Sequence, residues 1–262
     1  MTGDSTVLEA AMTSAEDFLM NKLPLDLGKQ ASPTPDFRSE EHPWIAAARE
    51  EMLKFNPIQN EGIVVSTQVA YVGEGGQLYE SGDEVSGGTS VVSHYLSTGY
   101  MWDVIRAKNG AYGAYSHFTQ TDGVATLYTY RDPNSPDTTL SLFDAAADTI
   151  LNDASTETLS RNNNAAITTA VIGTIGSLDG SALSANDAGY VALVRYLRGE
   201  SSVARQHWRN QVLATSAEDF VDFANRMKSW KNPSQAIVAS ESAFADMKAR
   251  VGVELSLFKA QR

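Results

Sequence analysis

The 262-residue sequence contains no cysteine and only four histidines, His42, His94, His117 and His207. The absence of cysteine excludes disulfides, thiol nucleophiles and thiolate metal sites. The histidines are scattered, and neither H-E-x-x-H nor the inverted H-x-x-E-H occurs, so no zinc helix of either kind is present. Each histidine reads as a surface or partly buried polar residue. Basic residues are also scarce: 20 Lys and Arg stand against 32 Asp and Glu, a net charge of −12. Binding a polyanion needs a basic face, so nucleic acid is not an expected partner. No apolar run approaches the roughly 18 residues of a membrane helix. The first residues carry Asp4, Glu9, Glu16 and Asp17 and no arginine, unlike a transit peptide or a secretory signal. With 42% hydrophobic residues the chain has the composition of a soluble globular protein.

Hydrophobic spacing organises what remains. Val7, Leu8, Ala11, Ala15, Phe18 and Leu19 predict a helix over 5–22. Five of the eight prolines, Pro24, Pro33, Pro35, Pro43 and Pro57, fall in 23–60, which predicts an extended linker interrupted by a short helix near Trp44–Leu53. A strand is expected over Ile63–Tyr71, ended by Gly73-Glu74-Gly75-Gly76. That glycine cluster fails the G-x-G-x-x-G phosphate fingerprint because Leu78 stands where the third glycine belongs. A helical pattern runs from Asp83 to Arg106, with a stripe of Val92, Tyr95, Leu96, Gly99 and Trp102, and Asn109-Gly110 stops it. Tyr112–Phe118 and Val124–Tyr130 form a hairpin about Asp122-Gly123. Asp132-Pro133-Asn134 is read as a turn.

The second half is helical. Core stripes are expected from Leu140 to Leu151, from Leu159 to Val171, and at Tyr190, Leu193, Val194 and Leu197. Thr215-x-x-Glu218 reads as a capping box before Phe220, Phe223, Ala224 and Met227. A last strand, Ala236–Ala239, leads to a helix with Phe244 and Met247. This order predicts an α+β class, a mostly antiparallel sheet packed by helices on one side.

Chemistry is densest between Trp102 and Tyr115. Arg106 sits at a helix C-terminus and Tyr112 at the head of a strand, flanked by the small residues Ala111 and Gly113. A guanidinium with five donors and a phenol with one directional donor can hold a peptide carbonyl or an oxyanion. The same residues also fit a plain structural reading, a tyrosine on a sheet face and an arginine favoured by the helix dipole. A Ser-His-Asp reading fails, because Ser93-His94 lie side by side on a helix without a G-x-S-x-G elbow. Glu80, Asp83 and Glu84 suit the N-terminal dipole of the helix that follows them.

Several segments, in order, resemble the pitrilysin-type (inverted-motif) zinc metallopeptidases, and most closely their presequence protease branch. They are Val65–Gly73, Gly110-Ala111-Tyr112-Gly113, Tyr130-Arg131-Asp132-Pro133-Asn134, Ile172-Gly173-Thr174-Ile175-Gly176 and Asp187-Ala188-Gly189-Tyr190. The resemblance implies the end of a preceding domain and a Pro-rich linker in 1–61, and a C-terminal α+β domain in 62–262. It implies zinc, with its histidines and general-base glutamate, in an N-terminal half that this sequence does not contain, and no metal bound by this chain. It also implies that Arg106 and Tyr112 reach the substrate as catalytic groups, with Gly110, Ala111 and Gly113 beside them in the substrate-binding segment. The implied partners are an unfolded peptide, such as a cleaved targeting peptide, and the zinc-bearing half on the same or a separate chain. A mitochondrial or plastid location follows from the resemblance alone. The chain by itself is expected to be inactive, whether it is a fragment or a stand-alone subunit. The alternative is a non-catalytic partner subunit, or a peptide-binding domain with no proteolysis. Arg161-Asn162-Asn163-Asn164 departs from the family pattern and is expected to be an insertion or a broken turn.

Overall fold

Alternation of small, β-branched and aromatic residues builds six strands: β1 (Asn60–Val64), β2 (Tyr71–Gln77), β3 (Gly113–Thr119), β4 (Val124–Tyr130), β5 (Ser234–Ala239) and β6 (Ser256–Lys259). The computed structural model describes residues 4–21, 47–48, 50–51, 60–80, 83–156, 159, 165–180, 183–230, 233–252 and 255–259. The strands form one mixed sheet in the order β3-β4-β2-β5-β1-β6. Its β3–β4, β4–β2 and β2–β5 pairs are antiparallel, and β1 runs parallel to both β5 and β6. The fold is therefore α+β with a mostly antiparallel sheet.

The expected single strand over Ile63–Tyr71 is two strands. β1 and β2 lie on opposite sides of β5 and run in opposite directions, so the chain must turn between them. Thr67 makes that turn: its hydroxyl accepts from the Val69 amide (3.3 Å) and donates to the Val69 carbonyl (3.1 Å). Gly73, Gly75 and Gly76 do not end a strand but lie inside β2. A Cβ on Gly76 would stand 2.6 Å from the Trp230 ring, and one on Gly75 2.7 Å from Thr126. The glycines let neighbouring side chains lie on the strand backbone.

Between β2 and β3 runs α2 (Gly88–Leu96), which continues without a break as a π-wound helix, π1 (Ser97–Lys108). Winding with i→i+5 hydrogen bonds rotates the buried stripe. Leu96, Met101 and Ile105 are fully buried, whereas Trp102, expected on the stripe, is turned outward. α3 (Pro136–Ser155) follows β4, and α4 (Ala165–Asp179), α6 (Ser202–Leu213) and α7 (Ala217–Lys228) complete the helical layer. α8 (Glu241–Val251) follows β5. Phe143 of α3, Phe220 and Phe223 of α7, and Ile237 of β5 are wholly enclosed. The α7 cap is Ser216 with Asp219, one residue beyond the expected Thr215 and Glu218. Thr215 instead donates back to the Val212 carbonyl at 2.8 Å, closing α6. The other sheet face is open and carries Tyr115, Tyr128 and Tyr130.

The described residues within 1–57 and 181–201 form a separate compact unit. It contains α1 (Ser5–Asn21) and α5 (Ala185–Leu197). The Asp4 carboxylate accepts from the Val7 amide (3.0 Å), and Ser184 from the Asp187 amide (3.2 Å), so both helices are capped from their own sequence. The expected core stripe of α5 is not buried: Tyr190, Leu193 and Leu197 are exposed. Periodicity gives a helix an apolar face but does not supply its cover. The Pro-rich linker prediction and the departure at Arg161–Asn164 lie outside the described residues. Of the short helix near Trp44–Leu53, only Ala47, Ala48, Glu50 and Glu51 are described, and all four are helical.

One buried carboxylate makes stability depend on pH. Glu74 of β2 points into the helix-covered side, only 5% exposed, and accepts from the Gln235 amide at 2.8 Å. Burial pushes its carboxyl above the ordinary value of 4.5; the Gln235 bond pulls it down, and the Asp144 charge pushes it up. A raised folded value means that the folded state holds this proton more tightly than the unfolded chain. Its stabilising contribution is complete below pH 4.5 and is lost as pH rises through the elevated value. Glu74→Gln should therefore flatten the fall in melting temperature above pH 4.5 and melt higher than wild type at pH 7. Parallel melting curves across pH test this, and identical profiles would refute it.

Candidate functional site

The site begins where π1 ends. Asn109 closes the helix with its amide on the Val104 carbonyl (3.2 Å) and its side chain on the same carbonyl (2.7 Å). Gly110 then adopts φ +84°, a left-handed conformation that glycine takes without steric cost. The Ala111 amide bonds the Ile105 carbonyl at 3.3 Å. This turn brings Tyr112 back beside Arg106, six residues earlier, and Arg106 Nε donates to the Tyr112 carbonyl at 2.9 Å. The guanidinium also lies over the Trp102 ring, its carbon 3.7 Å from the centroid. Edge and face of Arg106 are thus fixed internally, which leaves its terminal amino groups to donate elsewhere.

Tyr112 is 66% exposed. Its amide donates to the Arg131 carbonyl (3.2 Å), and its ring meets Tyr130 edge-on, with centroids 5.8 Å apart. Tyr130 in turn meets Tyr71 edge-on at 5.5 Å. The structure therefore brings Arg106 and Tyr112 together, with the phenol of Tyr112 in solvent. Gly110 is exposed beside them. Ala111 is buried, and Gly113 is covered by the Tyr115 ring, whose hydroxyl stands 2.6 Å from where a Cβ would be. Gly113 is needed for that ring and not for access to Tyr112.

Beneath the site lies Asp132, with no solvent exposure. One carboxylate oxygen accepts from the Asn134 amide (3.0 Å) and side chain (2.8 Å), and the other from the Thr139 hydroxyl (2.7 Å). Its backbone exchanges two hydrogen bonds with Ala70, at 2.7 and 2.8 Å. The Asn134 side chain also donates to the Asn109 carbonyl at 2.7 Å. Asp132 thereby ties together the turn after β4, the end of π1 and the start of β2. Sequence reasoning read a turn and a family-like segment here but did not place Trp102, Tyr130, Arg131 and Asp132 beside Arg106 and Tyr112. The signal available was the run Tyr130-Arg131-Asp132-Pro133-Asn134 itself.

Among the described residues no three histidine, aspartate or glutamate side chains converge in a way that could hold a metal.

In fold the chain resembles solved peptidases. A protease from Helicobacter pylori matches with a TM-score of 0.52 at 15% identity, covering 70% of this chain and 45% of that one. An inactive peptidase domain from Bordetella parapertussis matches with a TM-score of 0.50 at 14% identity, covering 66% and 96%. These likenesses show the fold alone, an α+β domain of the kind found in solved peptidase structures. More narrowly, residues 60–243 match the family model described as the PreP C-terminal domain, and the chain belongs to that family. Presequence protease 1, chloroplastic/mitochondrial, of Arabidopsis thaliana is 37% identical over 191 residues, 72% of this chain. The chain spans 17% of the length of that relative.

Proposed function

We propose that this chain is the C-terminal, substrate-binding portion of a zinc metalloendopeptidase that degrades unfolded peptides, cleaved targeting peptides among them. The observation that carries the reading is the pre-set pair: Arg106, held at 2.9 Å to the Tyr112 carbonyl, beside an uncovered Tyr112 phenol. Donors already fixed before a substrate arrives need little reorganisation during reaction. The free amino groups of Arg106 orient the peptide carbonyl, and the Tyr112 hydroxyl donates to the oxygen on which negative charge develops. Zinc and the general base belong to an N-terminal half, on the same or a separate chain. Residues 1–61 are the tail of a preceding domain with its linker, and 62–262 the C-terminal domain. A mitochondrial or plastid location accompanies this reading, in line with the name of the Arabidopsis relative.

The test is reconstitution. The purified chain should hold no stoichiometric zinc and should leave a fluorogenic peptide intact. Mixed or fused with the zinc-bearing half, it should support zinc-dependent cleavage that the half alone does not. Zinc-dependent cleavage by the isolated chain would overturn the proposal.

A further inference from the structure

Arg131 is the one non-glycine residue with positive φ (+50°) among the described residues. L-residues with a long side chain seldom adopt this backbone, and it clusters at functional positions. The conformation lifts Arg131 out of the β4 ladder just where its carbonyl receives the Tyr112 amide. Its guanidinium lies over the Tyr130 ring, 5.4 Å from the centroid, beside Tyr71, whose own ring meets Tyr130 edge-on. No carboxylate pairs with it among the described residues. Its sequence neighbour Asp132 cannot serve, because that carboxylate is buried and engaged by Asn134 and Thr139. In a chain of net charge −12, an oriented guanidinium on a platform of tyrosines, with no acid beside it, is an unfilled anion site.

We propose that Arg131 is a specificity-determining residue that receives a carboxylate of the peptide whose backbone lies on Arg106 and Tyr112. The inference rests on the reading of those two residues as substrate-binding groups. A planar fork of donors matches a carboxylate in two parallel hydrogen bonds, which an ammonium cannot reproduce. Tyr130 backs the face of the fork with Tyr71 beside it, which leaves the donors at its edge for the ligand. A peptide offers this chemistry in two places, its C-terminal carboxylate and its Asp or Glu side chains.

The experiment is calorimetric titration of the purified chain, at low salt, with an unstructured peptide of Ala, Gly, Ser and Leu in three forms. One has a free C-terminus, one a C-terminal amide, and one a C-terminal amide with an internal Glu. At least one carboxylate-bearing form should bind on the order of ten-fold more tightly than the plain amide, and the form that gains identifies the source. Arg131→Gln should erase the difference, and Arg131→Lys should keep only part of it. Tyr71→Phe, which removes the phenol beside the fork, should also reduce it. Circular dichroism checks that each variant is folded, and the lysine and phenylalanine variants serve if glutamine disturbs the turn. Equal affinity for all three forms, or an unchanged preference in Arg131→Gln, overturns the carboxylate site and leaves the Arg106–Tyr112 reading standing. Failure to bind any form overturns both.

Discussion

Replacing Arg106 by alanine in the reconstituted, zinc-bearing enzyme should lower kcat by about 10²–10³-fold, the usual effect of removing one pre-set donor to a developing oxyanion. Tyr112→Phe, which deletes a single hydroxyl, should fall in the same range. Neither change should move the melting temperature by more than about 2 °C. The reason is geometric. Arg106 is half-exposed and its one backbone bond ends on the carbonyl of an exposed residue, so water can replace what the mutation removes. The Tyr112 hydroxyl lies in solvent, and its ring would keep its edge contact with Tyr130 as phenylalanine. Arg106→Lys should rescue little, because an ammonium has no counterpart of Nε to anchor on the Tyr112 carbonyl while its other donors stay free. The measurement is steady-state kinetics on a peptide of fixed sequence, paired with thermal melts. A loss confined to KM would mark the pair as uniform binding groups. A loss of folding stability in step with activity would return both residues to a purely structural role.

The largest effect on folding is expected at Asp132. Asp132→Ala should destabilise the domain by about 3 kcal/mol or more, because hydrogen bonds to a charged acceptor contribute about 1.5–3 kcal/mol each and the enclosed Thr139 hydroxyl left behind has no water to turn to. Thr139, whose hydroxyl Asp132 accepts, is itself fully buried. For a chain of this size the melting temperature should fall by roughly 6–12 °C. Asp132→Asn should cost about half as much, since one amide oxygen still accepts from Asn134 and the Thr139 hydroxyl can rotate to donate or accept. Below its melting temperature Asp132→Ala should also bind peptide more weakly. The turn it anchors supplies the Arg131 carbonyl to Tyr112 and the Asn134 side chain to Asn109. Urea titration with intrinsic tryptophan fluorescence reads the stability, and a midpoint unchanged from wild type would dismiss the role given to Asp132.

What the sequence made legible follows from how local each signal is. The hairpin about Asp122-Gly123 was readable because Gly123 itself adopts the φ of +68° that the turn demands. The buried face of α3 was readable because Leu140, Phe143, Ala147 and Ile150 keep a 3.6-residue period. Arg106 and Tyr112 were readable as a pair because their spacing brackets a glycine turn. The outward turn of Trp102 was not, since it depends on π winding that no residue type announces. The split of Ile63–Tyr71 into β1 and β2 was not either, because it is set by β5, far along the chain. β6 escaped notice: Ser256–Lys259 is short, exposed and paired at the sheet edge with β1. Asp132 looked like a turn residue because burial cannot be seen in a single polar letter.

The strand order also sets a timetable. β5 stands between β2 and β1, and the Gln235 amide that bonds Asn60 lies 175 residues beyond it. At about 5–20 residues per second, a ribosome reaches β5 roughly 10–35 s after releasing β1. During that interval β2, β3 and β4 can already form a three-stranded sheet with α2 and α3 upon it, while the edge of β2 that β5 will cover stays open. An open edge is a template for pairing with other chains. The turn that sets Arg106 beside Tyr112 can thus be assembled early, but the nascent protein carries a sticky margin until β5 emerges.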